Sequence, residues 1–252
     1  MNYTERGAKV AIPKQFTMPI EVASYDVGPD NRLRPSAVLR YQQEAGERHL
    51  VDAGMGWNAL MQSGMVFVAS RWHCRLWRLP EMGERVTLTT WHRERRGARF
   101  LRCYEWRDAQ GELLLCGVMQ FALVSVEGHR LLRGDAFDPQ GALPSNPRTV
   151  DCSDPERYKL PDMTAVYDYA IRWSDTDRNG HTNNTRYADF LCDVLATEPG
   201  NRRITDIQLH FAGETRMGDV LTLSTAHTDA VFVQGTTARG AAFSARLEWQ
   251  AI

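Results

Sequence analysis

Several features that define large protein classes are scarce or absent in this sequence. The five cysteines are scattered and form no C-x-x-C pair, which argues against a zinc site or a disulfide framework and favours reduced thiols. No apolar run approaches the ~20 residues of a membrane span. The opening stretch MNYTERGAKVAIPKQF contains no apolar core of a signal peptide. These absences predict a cytoplasmic protein without a membrane span.

Common catalytic and nucleotide-binding motifs are also missing. The chain has no G-x-S-x-G, no P-loop and no G-x-G-x-x-G. It has little net charge, -1 at pH 7, which argues against a general nucleic-acid binder. That average conceals a skew, because ten arginines face four acidic residues between Arg71 and Arg107. A local basic excess indicates either an acidic partner or a solvated face, and both readings stay open here.

One polar stretch, DTDRNGHTNNTRY, begins at Asp175 and opens like a calcium-binding loop with D-x-D-x-N-G. Such a loop needs a bidentate glutamate at position 12 and helices on both sides. Position 12 is Arg186, and the preceding segment Val166 to Trp173 alternates like a strand. We therefore expect no metal here, and the polar residues need another explanation.

The sequence contains an internal duplication. Two eleven-residue segments, MGERVTLTTWH from Met82 and MGDVLTLSTAH from Met217, share six identities. In each half a strand, an Asp-rich loop and a helix precede a run of strands separated by turns. This plan predicts an α+β fold in which a sheet curls around a central helix, with the halves side by side. The predicted domains are residues 1–135 and 166–252, joined by a proline-rich linker at 136–165.

The two halves differ where polar chemistry is expected. The second half carries a series of polar residues at every second position: Asp175, Asp177, Asn179 and His181. The first half has no histidine in the corresponding loop. When the M-G landmarks are aligned, Glu214 falls opposite Leu79. The second half is therefore predicted to carry the chemistry and the first half to bind something apolar.

The stretch D-T-D-R-N-G-H-T-N-N-T-R-Y resembles the pattern D-x-D-x-N-x-H-x-N-N-x-x-Y of the plant and bacterial acyl-ACP thioesterases. The later strand with Glu214 and the segment S-R-W-H-C-R-L-W-R-L-P-E-M-G-E support the resemblance, which covers nearly the whole chain. It implies a tandem (double) hotdog, each half a central helix wrapped by a curved antiparallel sheet. It also implies hydrolysis of fatty acyl-ACP to free fatty acid and ACP. Plant members usually have a cysteine where this chain has Thr215, so a cysteine nucleophile is not available there.

The resemblance implies a catalytic set of four residues: Asp177, Asn179, His181 and Glu214. Thioester hydrolysis needs a water molecule, a base and donors for the developing oxyanion. Glu214 can be the base or a nucleophile. Asn179 can hold the water or the carboxylate with its amide, His181 can donate to the thioester or orient the water, and Asp177 can position these two side chains. Backbone N–H groups at the start of the following helix are a candidate oxyanion site. No cofactor or metal is required.

Further residues are candidates for binding the substrate, an acyl carrier protein that carries a fatty acyl-phosphopantetheine. Asn183 and Asn184 are two of them, although Asp175 and Asn183 also suit structural turns and caps. The arginines that could steer the acidic carrier protein are Arg93, Arg95, Arg96, Arg99 and Arg102. An apolar segment could line an acyl tunnel or belong to the core: Met55, Trp57, Leu60, Met61 and Met65.

Other functions remain compatible with the sequence. The same fold could hydrolyse acyl-CoA, hydrate an enoyl thioester, or bind acyl chains without catalysis. The duplication could replace the usual dimer of hotdog domains, so both a monomer and a homodimer are compatible with it.

Overall fold

The computed structural model describes residues 13–137, 144–196 and 202–251. The described helices are α1 (Pro35–Asp52), α2 (Trp57–Gln62), α3 (Gly134–Phe137) and α4 (Arg186–Ala196). The strands of the first half are β1 (Phe16–Glu21), β2 (Met65–Leu76), β3 (Arg85–Arg96), β4 (Arg99–Asp108) and β5 (Leu113–Ser125). Those of the second half are β6 (Thr164–Ala170), β7 (Arg202–Phe211), β8 (Val220–His227), β9 (Val231–Thr237) and β10 (Gly240–Ala251).

The strands form one ten-stranded antiparallel sheet in the order β1-β3-β4-β5-β2-β7-β10-β9-β8-β6. The halves meet at its centre, where β2 pairs with β7 from Arg71 opposite His210 to Arg75 opposite Asp206. Outward from this seam the first half runs β2, β5, β4, β3, β1 and the second runs β7, β10, β9, β8, β6. The two orders match, so the prediction that the halves form one continuous sheet is confirmed.

The two long helices pack against the sheet in a single apolar core. In α4 an apolar stripe is buried at Tyr187, Phe190, Leu191 and Val194, and such a side chain contributes roughly 1.5–3 kcal/mol when fully buried. In α1, Pro35 lies in the first turn, where its missing N–H group leaves no bond unmade. Buried side chains of both helices and of the strands from both halves belong to one cluster. None of the described helices combines the length and the apolar character that crossing a bilayer demands.

The duplication is visible in the backbone around each Asp-rich loop. A bridge between Val27 and Leu33 recurs between Thr176 and Thr182. A second bridge, Arg32 to Glu81, recurs as His181 to Arg216. The first half therefore places Arg32 where the second half has His181.

The alignment of Leu79 with Glu214 follows from a third repeated contact. In the first half the N–H of Leu33 donates to the carbonyl of Pro80, and in the second half the N–H of Thr182 donates to the carbonyl of Thr215. The preceding residues, Leu79 and Glu214, are therefore equivalent. Leu79 packs against the apolar core, whereas Glu214 is exposed.

The segment 144–163, which we call the strap, has no regular secondary structure. It lies on the first half of the sheet up to Asp154 and on the second half at Glu156 and Tyr158. The indole N–H of Trp91 donates to the carbonyl of Arg148 at 2.9 Å, and Arg93 donates to Asp154 at 2.5 Å. Trp91 belongs to a small apolar cluster with Leu101, against which the strap residue Val150 packs. The predicted linker is therefore packed against the sheet over this segment, while the domain boundaries themselves stay a prediction.

Candidate active site

The motif that follows β6 folds into a tight turn because its residues satisfy one another. The N–H of Gly180 donates to the carbonyl of Asp177 at 3.0 Å, and the N–H of Asp177 donates to the carbonyl of His181 at 2.8 Å. Gly180 has φ +73°, a conformation that glycine adopts without steric strain. Asp177 Oδ1 accepts the N–H of Asn179 at 2.8 Å, which is an Asx turn. Local bonds therefore shape the turn that carries Asp177, Asn179 and His181.

Asp175 anchors this turn to the body of the protein. Its buried carboxylate accepts the N–H of Arg172 at 2.8 Å, the hydroxyl of Tyr169 at 3.1 Å and the guanidinium of Arg186 at 2.9 Å. The residue at position 12 of the apparent calcium loop is thus an arginine paired with the carboxylate at position 1. This pairing supports a structural role for Asp175. Within the described ranges no three His, Cys, Asp or Glu side chains gather closely enough to hold a metal.

His181 and Glu214 are brought together by the backbone bridge between His181 and Arg216. His181 Nε2 lies 3.3 Å from Glu214 Oε2, and the side chains are 24% and 51% exposed. Arg216 Nη2 lies 3.8 Å from the same carboxylate oxygen. The pair is therefore open to water and to a substrate, and the imidazole nitrogen lies within ion-pair distance of the carboxylate.

A cavity of about 270 Å³ begins beside this pair. Asp177, Asn179 and Asn184 line it, together with residues of α1, α2 and five strands. His181 and Glu214 do not line the cavity. His181 is two residues after Asn179 in the turn, and Glu214 is two residues before Arg216, whose backbone bridges to His181. The motif therefore places the cavity end and the His–Glu pair next to each other.

The predicted roles of Asp177 are reproduced only in part. Its carboxylate bonds the backbone N–H of Asn179 and lies 3.5 Å from the Asn179 amide nitrogen. Its link to His181 runs through the backbone and not through the imidazole. Asp177 thus acts directly on Asn179 and on His181 only through the shape of the turn.

Asn183 has the capping role that the sequence also allowed. Its side-chain oxygen accepts the N–H of Thr185 at 2.9 Å and the hydroxyl of Thr185 at 2.8 Å. Its carbonyl accepts the N–H of Arg186 at 2.8 Å. The expected oxyanion site at the start of α4 is therefore not open at Thr185 or Arg186, because both N–H groups are already bonded. A substrate contact for Asn183 stays a prediction.

Thr215 is fully buried and belongs to a hydroxyl network that sequence reasoning missed. Its hydroxyl lies 2.6 Å from that of Thr182 and 3.1 Å from that of Tyr187. Burial and these bonds support a structural role in place of a nucleophilic one. Thr182 and Tyr187 lie in the motif at positions that carried no sequence signal for this contact.

A second missed contact joins the halves at the cavity. The guanidinium of Arg178 stacks 4.1 Å over the ring of Trp57, a cation–π geometry. Both residues line the cavity, as does Leu60. From the predicted apolar segment, Met55 and Met65 instead pack in a small cluster around Leu60. The segment thus contributes to both the tunnel and the core.

The arginine candidates fall into two groups, and one of them corrects a prediction. Arg93 is 7% exposed and bonds Glu94 and Asp154. Arg102 is 6% exposed and lies in the cavity wall. Neither belongs to an accessible surface, so the prediction that they steer a partner is wrong. The exposed members lie around the β3–β4 hairpin: Arg95, Arg96 and Arg99.

Sequence comparison identifies the family that shares these features. The family model for the acyl-ACP thioesterase N-terminal domain matches residues 13–134. The family model for the acyl-ACP thioesterase C-terminal domain matches residues 158–248. A chloroplastic dodecanoyl-[acyl-carrier-protein] hydrolase of Cinnamomum camphora is 26% identical over 226 residues. That match covers 82% of this chain and 58% of the relative. A relative of the same description from Umbellularia californica is 27% identical, with 71% of this chain and 50% of that protein covered. The chain thus spans only about half the length of these relatives.

Solved structures show the same fold at lower identity. An acyl-ACP thioesterase from Bacteroides thetaiotaomicron aligns with a TM-score of 0.84 at 19% identity, covering 94% of this chain and 98% of that one. A 12:0-ACP thioesterase from Umbellularia californica aligns with a TM-score of 0.77 at 23% identity, covering 95% and 98%. The duplicated sheet and its helices are therefore a double hotdog, and this chain belongs to the acyl-ACP thioesterase family.

Proposed function

We propose that this protein hydrolyses the thioester of a fatty acyl-ACP and releases a free fatty acid and ACP. The observation that carries the proposal is the contact between His181 and Glu214 beside a cavity. The equivalent positions of the first half hold Arg32 and Leu79, so that half has no such pair. The relatives from Cinnamomum camphora and Umbellularia californica, which are named as acyl-ACP hydrolases, support the same reaction.

The reaction uses the pair as follows. Glu214 accepts a proton from water, and the water oxygen attacks the carbonyl carbon of the thioester. Collapse of the tetrahedral intermediate breaks the carbon–sulfur bond, and the thiolate of phosphopantetheine takes up the proton. His181 holds the carboxylate through Nε2, which keeps Glu214 pointed at the water. Asn179, at the cavity end, donates to the developing oxyanion or to the water.

The proposed substrate partner is acyl carrier protein. Its acidic surface is complementary to the exposed arginines of the β3–β4 hairpin: Arg95, Arg96 and Arg99. Such charges act mainly on the association rate and are screened by salt. A single chain supplies both sides of the cavity, since Arg178 of one half stacks on Trp57 of the other, so a monomer is sufficient for activity and a homodimer is compatible with it. We place the protein in the cytoplasm.

Assays on the purified protein test this proposal. Acyl-ACP, acyl-CoA and enoyl-CoA are supplied at matched concentrations, and free acid, free thiol and hydroxyacyl product are measured. We expect free acid and free thiol in equal amounts, with acyl-ACP the preferred substrate. Preferred turnover of acyl-CoA would show that the substrate carrier is CoA and not ACP. A hydroxyacyl product would show that the reaction is hydration of an enoyl thioester. Tight acyl binding without turnover would indicate a binding module.

A further inference from the structure

The far wall of the cavity contains a buried arginine without an acidic partner. Arg102 lies on β4 and is 6% exposed. Its Nη1 donates to His49 Nδ1 at 3.1 Å and to Thr90 Oγ1 at 3.3 Å. Within the described part of the chain, no carboxylate pairs with it and no other hydrogen bond of its guanidinium is seen. The Nε–H and Nη2 donors are therefore available to whatever fills the cavity.

The groups that Arg102 bonds are neutral, so they do not compensate its charge. His49 Nε2 lies 2.8 Å from the carbonyl of Pro13; with the proton on Nε2, Nδ1 is the acceptor for Arg102. Burial and the neighbouring cation lower the pKa of His49. Burial, with Arg102 second, lowers the pKa of His92 to about 4. A buried charge without a counter-charge is strongly unfavourable unless a ligand or water solvates it.

The strand order gives the distance of Arg102 from the β7 side of the cavity. The cavity wall passes from Phe211 on β7 through Ala69 on β2 and Phe121 on β5 to Arg102 on β4. Three strand spacings of about 4.8 Å separate β7 from β4, or about 14 Å. Asn179 and Phe211 line the same cavity. An acyl chain that starts on the β7 side and follows the sheet would bring its distal carbons to Arg102.

Apolar side chains occupy the wall between these ends. Ala69, Met119 and Phe121 line the middle of the cavity, so the first part of an acyl chain meets apolar surface. On the sheet side the polar groups Arg102 and His92 lie on the neighbouring strands β4 and β3, while Gln43, Glu44 and Glu47 line the cavity from α1. The sheet side of the wall is therefore apolar in the middle and carries hydrogen-bond donors at its distal end.

We infer that this distal end is a polar subsite for an acyl chain that carries an oxygen near its ω end, such as a hydroxyl or a carboxylate. Such an oxygen accepts the free guanidinium donors, whereas a terminal methyl group leaves them desolvated and unpaired. Sites built to bond a polar group discriminate strongly against analogues that lack it. The inference rests on the proposed function, because it assumes that the acyl chain enters from the β7 side of the cavity.

The first test compares thioesters that differ only at the ω end. Dodecanoyl-ACP, ω-hydroxydodecanoyl-ACP and the half-thioester of dodecanedioic acid are assayed with the wild-type protein, R102M and R107M. R102M removes the donors and keeps a long side chain, and R107M is a matched control on the same strand. We expect the wild type and R107M to favour the oxygen-bearing chains by at least about tenfold in kcat/KM. R102M should favour the unsubstituted chain.

The second test measures binding without chemistry. Dodecanoic acid and ω-hydroxydodecanoic acid are titrated into the three proteins by calorimetry, and we expect the same order of preference as in the assays. If R102M does not fold, the wild-type comparison alone decides the question.

Two outcomes would overturn the subsite. Equal binding and turnover of the two chain types by the wild type would leave Arg102 with a structural role only. If the wild type prefers unsubstituted chains and R102M accepts longer unsubstituted chains than the wild type does, Arg102 is a stop for chain length. Absence of any hydrolysis together with preferential binding of the ω-hydroxy acid would instead refute the proposed reaction and retain the subsite.

Discussion

At the scale of single residues, the duplicated chain contains its own comparison. The same backbone position holds Glu214 in one half and Leu79 in the other, and the position of His181 holds Arg32. Leu79 packs against the core, while Glu214 is half exposed. The fold therefore tolerates either an apolar or a charged residue here. Chemistry and stability can be separated by mutation at this position.

Glu214→Gln should remove activity and leave the fold intact. Glutamine is nearly isosteric but cannot accept a proton at neutral pH, and loss of a general base typically costs about 10²–10⁴ in rate, or roughly 3–5 kcal/mol of barrier. We expect kcat to fall by that factor with little change in melting temperature. Glu127→Gln, in an exposed turn, is the control. His181→Ala should be similarly severe, and the double mutant less than additive if the two residues act as one unit.

Thr215→Ala should give the opposite pattern. The substitution leaves the hydroxyls of Thr182 and Tyr187 without a buried partner, which destabilises by about 1–3 kcal/mol. Turnover per folded molecule should stay near normal, and Thr215→Ser should restore stability. Denaturant unfolding and kcat measured on the same samples separate the two effects. Lost turnover in Thr215→Ala beside near-normal turnover in Glu214→Gln would make Thr215 the nucleophile.

At the scale of elements, the β3–β4 hairpin divides its arginines by location. Arg93 and Arg102 point into bonded, buried surroundings, whereas Arg95, Arg96 and Arg99 are exposed. Sequence alone presented all five as one basic cluster. The strap explains part of the division, because it brings Asp154 against Arg93. Arg102 is buried for another reason, because its side chain lies in the wall of the cavity.

Reversing charge at the exposed positions should weaken docking and not chemistry. With Arg95→Glu and Arg99→Glu together, the Michaelis constant for acyl-ACP should rise several-fold at low salt, and the difference should shrink as salt is added. A small acyl thioester should be turned over normally. Arg107→Glu, placed away from the hairpin tip, serves as the matched control. Equal losses on both substrates would assign the docking surface elsewhere.

At the scale of the whole molecule, buried and half-buried histidines couple stability to pH. Burial lowers the pKa of His49, His92 and His210, and for His92 it reaches about 4. Between pH 6.5 and 4 the unfolded chain binds protons that the folded chain does not. Stability should therefore fall as the pH drops through this window, and above pH 6.5 these groups should contribute no pH dependence.

His92→Gln should flatten this dependence. The shift from 6.5 to about 4 corresponds to about 3 kcal/mol of lost stability at the acid end of the window. The difference in unfolding free energy between wild type and variant should thus change by up to that amount between pH 7 and 4.5. His129→Asn, at an exposed turn position with φ 48°, is the control. A wild-type and a His92→Gln curve that stay parallel would contradict the assignment.

The sequence by itself determined the features that depend on residues close together in the chain or on the internal repeat. The repeated M-G segments predict two equivalent halves, the alternation of apolar residues predicts their strands, and D-x-N-G-H closes a turn through its own side chains. The register of Glu214 opposite Leu79 follows from the same repeat. These features rest on bonds within a few residues or on a comparison of one half with the other.

Only the tertiary structure decided which polar residues face solvent, which are buried and which are already hydrogen-bonded within the protein. Asn183 is committed to Thr185, Arg93 is covered by the strap, and Arg102 lies inside a cavity bounded by strands from both halves. Burial depends on segments distant in the chain, which periodicity does not encode. The apposition of β2 and β7 creates the shared cavity, and with it the one buried arginine in the described wall that lacks a carboxylate partner.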